Sequence, residues 1–74
     1  MRKSAASKYE VRIWWGDEDR MYVAEAPELP GCMAHGKTRD TALANLHDAM
    51  RLWLDTAREQ GRAIPEPQHH LATT

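Results

Sequence analysis

Tyr9, Val11, Ile13 and Trp15 alternate with Glu10, Arg12 and Trp14, the two-residue period of a strand. Gly16-Asp17-Glu18-Asp19 has the small and acidic composition of a turn. Met21 to Ala26 then continues as a second strand, so the two segments predict an antiparallel hairpin. Next comes Pro27-Glu28-Leu29-Pro30-Gly31-Cys32, whose prolines and glycine continue neither strand nor helix and must turn the chain sharply. Met33 to His35, held between Gly31 and Gly36, supplies a short third strand whose pairing partner the pattern leaves open.

From there the period lengthens. Ala42, Leu43, Leu46, Ala49, Met50, Trp53, Leu54 and Ala57 recur at spacings of three and four, which predicts a helix from about Arg39 to Gln60. Asn45, Asp48, Arg51, Asp55, Arg58 and Glu59 fall on its other side. Thr38 is placed to cap the helix, with Asp40 in the first turn and Arg58 in the last, both favourable to the helix dipole. Thr41 stands where a capping-box glutamate would be, so that box is incomplete. Gly61 suits the residue after the helix, and Pro65 and Pro67 forbid a restart. A short edge strand at Ala63–Ile64 has room to form.

The expected fold is therefore α+β: a small antiparallel sheet with one long helix on one face, in the order β-β-β-α(-β). Tyr9, Val11, Ile13, Tyr22, Ala24 and Ala26 are expected beneath the helix, the small residues marking its closest approach. Trp14, Met21 and Val23 then share the opposite face with Glu10, Arg12 and Glu25. Large apolar residues on a sheet face without a second layer are costly to leave in water, so that face or the adjoining edge is expected to meet a partner or a second copy. A one-residue slip would exchange the two faces.

Length and composition narrow the picture further. The 74 residues make one domain, with a loose start at 1–7, a folded part at 8–67 and a frayed tail at 68–74. A chain this short buries only about 60% of its unfolded surface, and Cys32, the single cysteine, has no partner for a disulfide. Self-association or a permanent partner is the natural remedy. No apolar run approaches the roughly 18 residues of a membrane span, and the basic start at Arg2 and Lys3 leads into no signal-peptide core, so a cytoplasmic protein is expected.

The formal charge is only −1, yet it is unevenly placed. From Tyr9 to Gly31 there are six acids (Glu10, Asp17, Glu18, Asp19, Glu25, Glu28) and two bases (Arg12, Arg20), a net of −4. Cys32 to Gly61 balances four acids with four bases. An acidic sheet region repels phosphate and suits a basic protein surface.

Several of these segments together resemble the HicB-like antitoxin family. The matching pieces are Tyr9-x-Val11, the acidic turn at Gly16–Asp19 and Tyr22-x-Ala24. They continue through the Leu29-Pro30-Gly31-Cys32 corner, Gly36-x-Thr38, Ala42 and Ile64-Pro65-x-Pro67, spanning about residues 8 to 67. The resemblance implies a fold related to a shortened ribonuclease H core and a role in a cytoplasmic type II toxin–antitoxin pair. It implies a HicA-like partner, a small basic ribonuclease with a double-stranded-RNA-binding-like fold and a catalytic histidine, and a homodimer or larger assembly. Many members carry a C-terminal DNA-binding domain. This chain stops seven residues after Pro67, so no direct DNA binding is expected.

Catalytic and metal readings fare worse. Cys32 and His35 have a C-x-x-H spacing, but on a strand such positions point to opposite faces, and a buried lone cysteine behaves as a small hydrophobe. His69-His70 offers two ligands on a tail, too few for a site, and His47 belongs to the helix surface. The carboxylates do not converge as two-metal hydrolysis requires, so neither enzyme activity nor a cofactor is expected. Trp53 reads as core and Trp15 as core or rim. The candidate partner-binding set is Glu10, Trp14, Asp17, Glu18, Met21, Val23 and Glu25. Two readings stay open: an antitoxin that masks a basic ribonuclease, and a stand-alone regulatory or structural module of the same fold without a toxin.

Overall fold

The computed structural model describes residues 8–66. The termini at 1–7 and 68–74 and the His69-His70 pair, expected above to be loose, lie outside the described residues. Three strands, β1 (Arg12–Gly16), β2 (Met21–Glu25) and β3 (Met33–Gly36), form an antiparallel sheet in the order β1-β2-β3, followed by the helix α1 (Arg39–Glu59). The fold is α+β, with β2 in the centre and β3 paired to it.

β1 starts later than the alternation suggests. Its first residue, Arg12, pairs with Glu25, the last of β2. Beyond Glu25 the Ala26 N–H continues the pairing on the other side, to the Cys32 carbonyl at 3.1 Å, and the next position that would face β1 is Pro27, which has no N–H to give to residues before Arg12. Tyr9 and Val11 still pack on the core through their side chains alone. The register settles the faces as expected. Ile13 lies opposite Ala24 and Trp15 opposite Tyr22, and Tyr9, Ala24 and Ala26 join the buried cluster under the helix.

The corner after β2 is a pair of turns. Leu29 N–H donates to Ala26 O at 3.0 Å and Cys32 N–H to Leu29 O at 2.9 Å. Pro30 and Gly31 occupy the central positions of the second turn, and Gly31 has φ +79, the type II arrangement that requires glycine there. Leu29 is driven into the core. Trp53, expected in the core, instead sits half-buried at its margin, where its indole N–H donates to Pro30 O at 3.0 Å and pins the helix to the corner.

Ala42, Leu46, Met50, Leu54 and Ala57 form the buried stripe of α1. Each fully buried large side chain such as Leu46 or Met50 contributes about 1.5–3 kcal/mol relative to exposure. Thr38 caps the start: its hydroxyl oxygen accepts from Thr41 N–H at 3.0 Å, and its O–H donates to the Thr41 hydroxyl that stands in for the missing glutamate. At the other end Arg62 N–H reaches Ala57 O and Gly61 N–H reaches Arg58 O, with Gly61 at φ +69, a Schellman closure. The chain then returns across the core: Ile64 packs on it and the Tyr9 hydroxyl donates to Pro65 O. The strand expected at Ala63–Ile64 does not form, since the adjoining Pro65 has no N–H to give to a ladder and Tyr9 lies outside the paired part of β1.

The tightest contact lies at Gly36. A Cβ there would sit 2.3 Å from Ala42 N and 2.7 Å from the Thr41 carbonyl carbon, so the first turn of the helix rests on bare backbone. Gly36→Ala should therefore cost about 2 kcal/mol or more in chemical denaturation; a loss under about 0.5 kcal/mol would show that the helix can lift without penalty. A second expectation concerns pH. Burial raises the Cys32 thiol and the Tyr9 phenol above their ordinary values, the phenol helped by Glu28 and Glu66 and opposed by Arg58. Both groups keep their protons longer in the folded state. Their stabilisation is intact at neutral pH and declines as pH rises past about 8.5 for the thiol and about 10 for the phenol. Denaturation midpoints measured from pH 7 to 11 should fall in that window, and less steeply in Cys32→Ala.

Candidate functional site

The helix covers one face of the sheet, and among the described residues no second layer covers the other. Because Tyr22 and Ala24 point toward the helix, Met21, Val23 and Glu25 point away, and residues directly opposite them share their side. The open face therefore has two full rows: Trp14, Val23 and His35; and Arg12, Glu25 and Met33. Met21 stands opposite Gly16 beyond them.

The apolar centre consists of Trp14 and Met33, 41% and 45% exposed, with half-buried Met21. Val23 requires a correction. It lies on the open face, but only 6% of it is accessible, since Trp14 and His35 flank it from the neighbouring strands. Its Cγ2 also leans to 3.1 Å from where a Cβ on Gly16 would be. Val23 sits beside Trp14 on the same face and offers a partner little surface of its own.

Acidic groups bracket this centre. At the hairpin end, the turn from Asp17 to Arg20 is closed by Arg20 N–H on Gly16 O at 2.8 Å, with Arg20 at φ 56. Asp17 accepts from the Trp15 indole N–H at 3.0 Å, Glu18 is exposed, and Asp19 reaches across β2 to within 3.8 Å of His35 Nε2. At the far end Glu25 lies opposite Arg12, and the Glu10 carboxylate is 3.7 Å from the Arg12 guanidinium. Glu10 is also tied to the corner, its backbone N–H donating to Glu28 Oε1 at 3.4 Å.

Of the residues singled out from the sequence, Trp14, Met21, Val23 and Glu25 thus come together on one face, with Glu10 and Glu18 around it, whereas the Asp17 carboxylate is held by the indole of Trp15, a ring on the helix side. Met33, His35 and Asp19 were missed as members. The alternation of Met33 and His35 with core-facing Ala34 carries the signal, but it becomes legible only once β3 is known to pair with β2. Trp15 belongs to the other side, as a rim residue. It is 48% exposed and edge-on to Tyr22 with centroids 5.0 Å apart, while the Arg39 guanidinium lies 5.3 Å from the same Tyr22 ring.

The chemistry of this face is that of contact. Among the described residues no three His, Cys, Asp or Glu side chains gather into a metal-binding group. Cys32 is buried in the core and its thiol is pushed up by burial, while His35 points from the opposite face. No helix among the described residues is long and apolar enough to cross a membrane.

Comparison with known proteins agrees with the architecture. The family model described as the HicB-like antitoxin of bacterial toxin–antitoxin system matches residues 9–73. The chain belongs to the HicB-like antitoxin family. It is 41% identical over 58 residues to the UPF0150 protein Ta0767 of Thermoplasma acidophilum, covering 78% of this chain and 83% of that one. It is 37% identical over 51 residues to the UPF0150 protein ssl0259 of Synechocystis, covering 69% and 70%. The crystal structure of TTHA0281 from Thermus thermophilus superposes with a TM-score of 0.67 at 34% identity, over 82% of this chain and 73% of that one.

The two apolar positions stacked at the centre of the face should separate in mutagenesis. Val23→Ala, at a buried site, is expected to lower stability by about 1–3 kcal/mol, whereas half-exposed Trp14→Ala should cost less. Urea denaturation of both variants checks the order, and a reversed order would place Trp14 in the structural support.

Proposed function

We propose that this protein is the antitoxin of a type II toxin–antitoxin pair and neutralises a HicA-type, mRNA-cleaving toxin by binding it directly through the open sheet face. The reading makes it a non-enzymatic cytoplasmic protein that acts as a homodimer or larger homo-oligomer. The observation that carries it is the composition of that face: an exposed tryptophan and methionines bracketed by Glu10 and Glu25 at one end and by the turn acids Glu18 and Asp19 at the other. A ribonuclease must present cationic side chains to RNA, and an acidic face attracts that same surface while its negative potential repels the nucleic acid. Charges of this kind speed the encounter, and burial of Trp14 slows dissociation, since tryptophan is prominent among residues that dominate binding energy. Membership of an antitoxin family supports the same role.

Gene neighbourhood and co-expression test this reading. A very basic protein of about 60 residues is expected from the adjacent gene, to co-purify with this chain and to lose its growth-arresting activity in its presence. Trp14→Asp should weaken the complex by roughly tenfold or more while leaving the domain folded by circular dichroism. A toxin that stays fully active on co-expression with the wild-type chain would sink the proposal and favour the stand-alone module.

A further inference from the structure

We infer that the outer edge of β1 is a self-association surface, on which a second copy of this chain adds its own β1 antiparallel and joins the two sheets into one. The inference takes up the self-association of the proposed function and stands apart from the toxin reading.

The two ends of the sheet are not equivalent. β3 is guarded by the helix, whose first turn rests on Gly36 and whose Asn45 side chain donates to the His35 carbonyl at 2.8 Å. β1 has β2 on one side and no strand on the other among the described residues. Edge strands are ordinarily protected by charged side chains, a proline or a bulge. Arg12-Ile13-Trp14-Trp15-Gly16 has a single charge, at its first residue, no proline, and a register with β2 that runs unbroken from Arg12 to Gly16.

The exposed aromatics point to the edge and not to one face. Trp14 lies on the open side and Trp15 on the helix side, and both keep over two-fifths of their surface accessible. A ligand on either face could reach only one of these rings. A strand laid along the edge covers part of both.

Charge selects the occupant and its direction. β1 opens with Arg12 and runs into Asp17 and Glu18. In an antiparallel pairing about a two-fold at Trp14, Arg12 of each copy lies opposite Gly16 of the other, beside the other copy's Asp17 and Glu18. The opposite-charge contact is then made twice. A parallel pairing would set arginine beside arginine and acid beside acid. In the antiparallel arrangement the two tryptophans at position 14 meet on the open side and Ile13 faces Trp15 on the helix side. Both helices lie on one face of the joined sheet, and the two acidic open faces become continuous.

Sedimentation and light scattering of the full chain over a concentration series test this, with tryptophan emission as a second signal. The wild type should dimerise with a blue shift in emission. Arg12→Glu should weaken the dimer at least about tenfold, and the double variant Arg12→Glu/Glu18→Arg should recover most of the loss, because each exchanged charge again meets its opposite across the two-fold. Amide hydrogen exchange on the wild type avoids any question of misfolding: β1 amides should gain protection as the dimer forms. A dimer indifferent to Arg12→Glu, or β1 amides unprotected in it, overturns the edge assignment while leaving self-association in place. A chain monomeric at every concentration overturns both, and rescue of toxin-arrested growth by that monomer would leave the toxin reading standing.

Discussion

The arrangement depends on how closely the first turn of α1 can lie against the sheet. Gly36 supplies that closeness, with the Ala42 backbone where any side chain on the strand would have to be. Thr38 caps the helix only two residues later, so the chain passes from strand to helix with almost no slack. Ala24, Ala26 and Ala34 extend the same low floor under Ala42, Leu46 and Met50. Because all of this apolar surface is gathered on one side, the other side of the sheet is left without a layer among the described residues. The open face is thus a consequence of the helix contact.

A core this small needs its edges fastened, and the molecule does so with side-chain to main-chain bonds. Trp53 holds the helix to the Pro30 carbonyl, and Tyr9 holds the start of the chain to the Pro65 carbonyl, linking segments distant in sequence. The Schellman turn at Gly61 aims the returning chain so that Ile64 can reach the core. Cys32 fills space beside them as a free, buried thiol. These ties replace the disulfides on which many domains of this size rely.

The open face combines features that separate parts of the chain supply. Its apolar centre comes from alternation within β1, β2 and β3, and its acids come from the hairpin turn and from both sides of Arg12. Under the proposed function such a face attracts a cationic protein and repels nucleic acid. It also borders the edge of β1, with Trp14 at the boundary between face and edge.

Much of this was legible in the sequence. The two-residue alternation placed Ala24 beneath the helix and Trp14 away from it, the three-and-four spacing of Ala42, Leu46 and Met50 drew the buried stripe, and Thr38 and Gly61 marked the helix ends. Those features are local: backbone geometry repeats with a fixed period, and caps and turns need particular residues within a few positions. Other features waited on the tertiary structure. The start of β1 at Arg12 was decided by where β2 stops, the absence of a strand at Ala63–Ile64 by Pro65 and the position of Tyr9, and the marginal seat of Trp53 by the Pro30 carbonyl. The burial of Val23 between Trp14 and His35, and the inclusion of Met33 in the site, followed from the pairing of β3 with β2. By itself the sequence determined which residues form each element and which side each prefers. Which strands are neighbours, which edge is covered and which exposed side chains share a surface were decided by long-range packing, because those relations depend on distances between segments that no local pattern encodes.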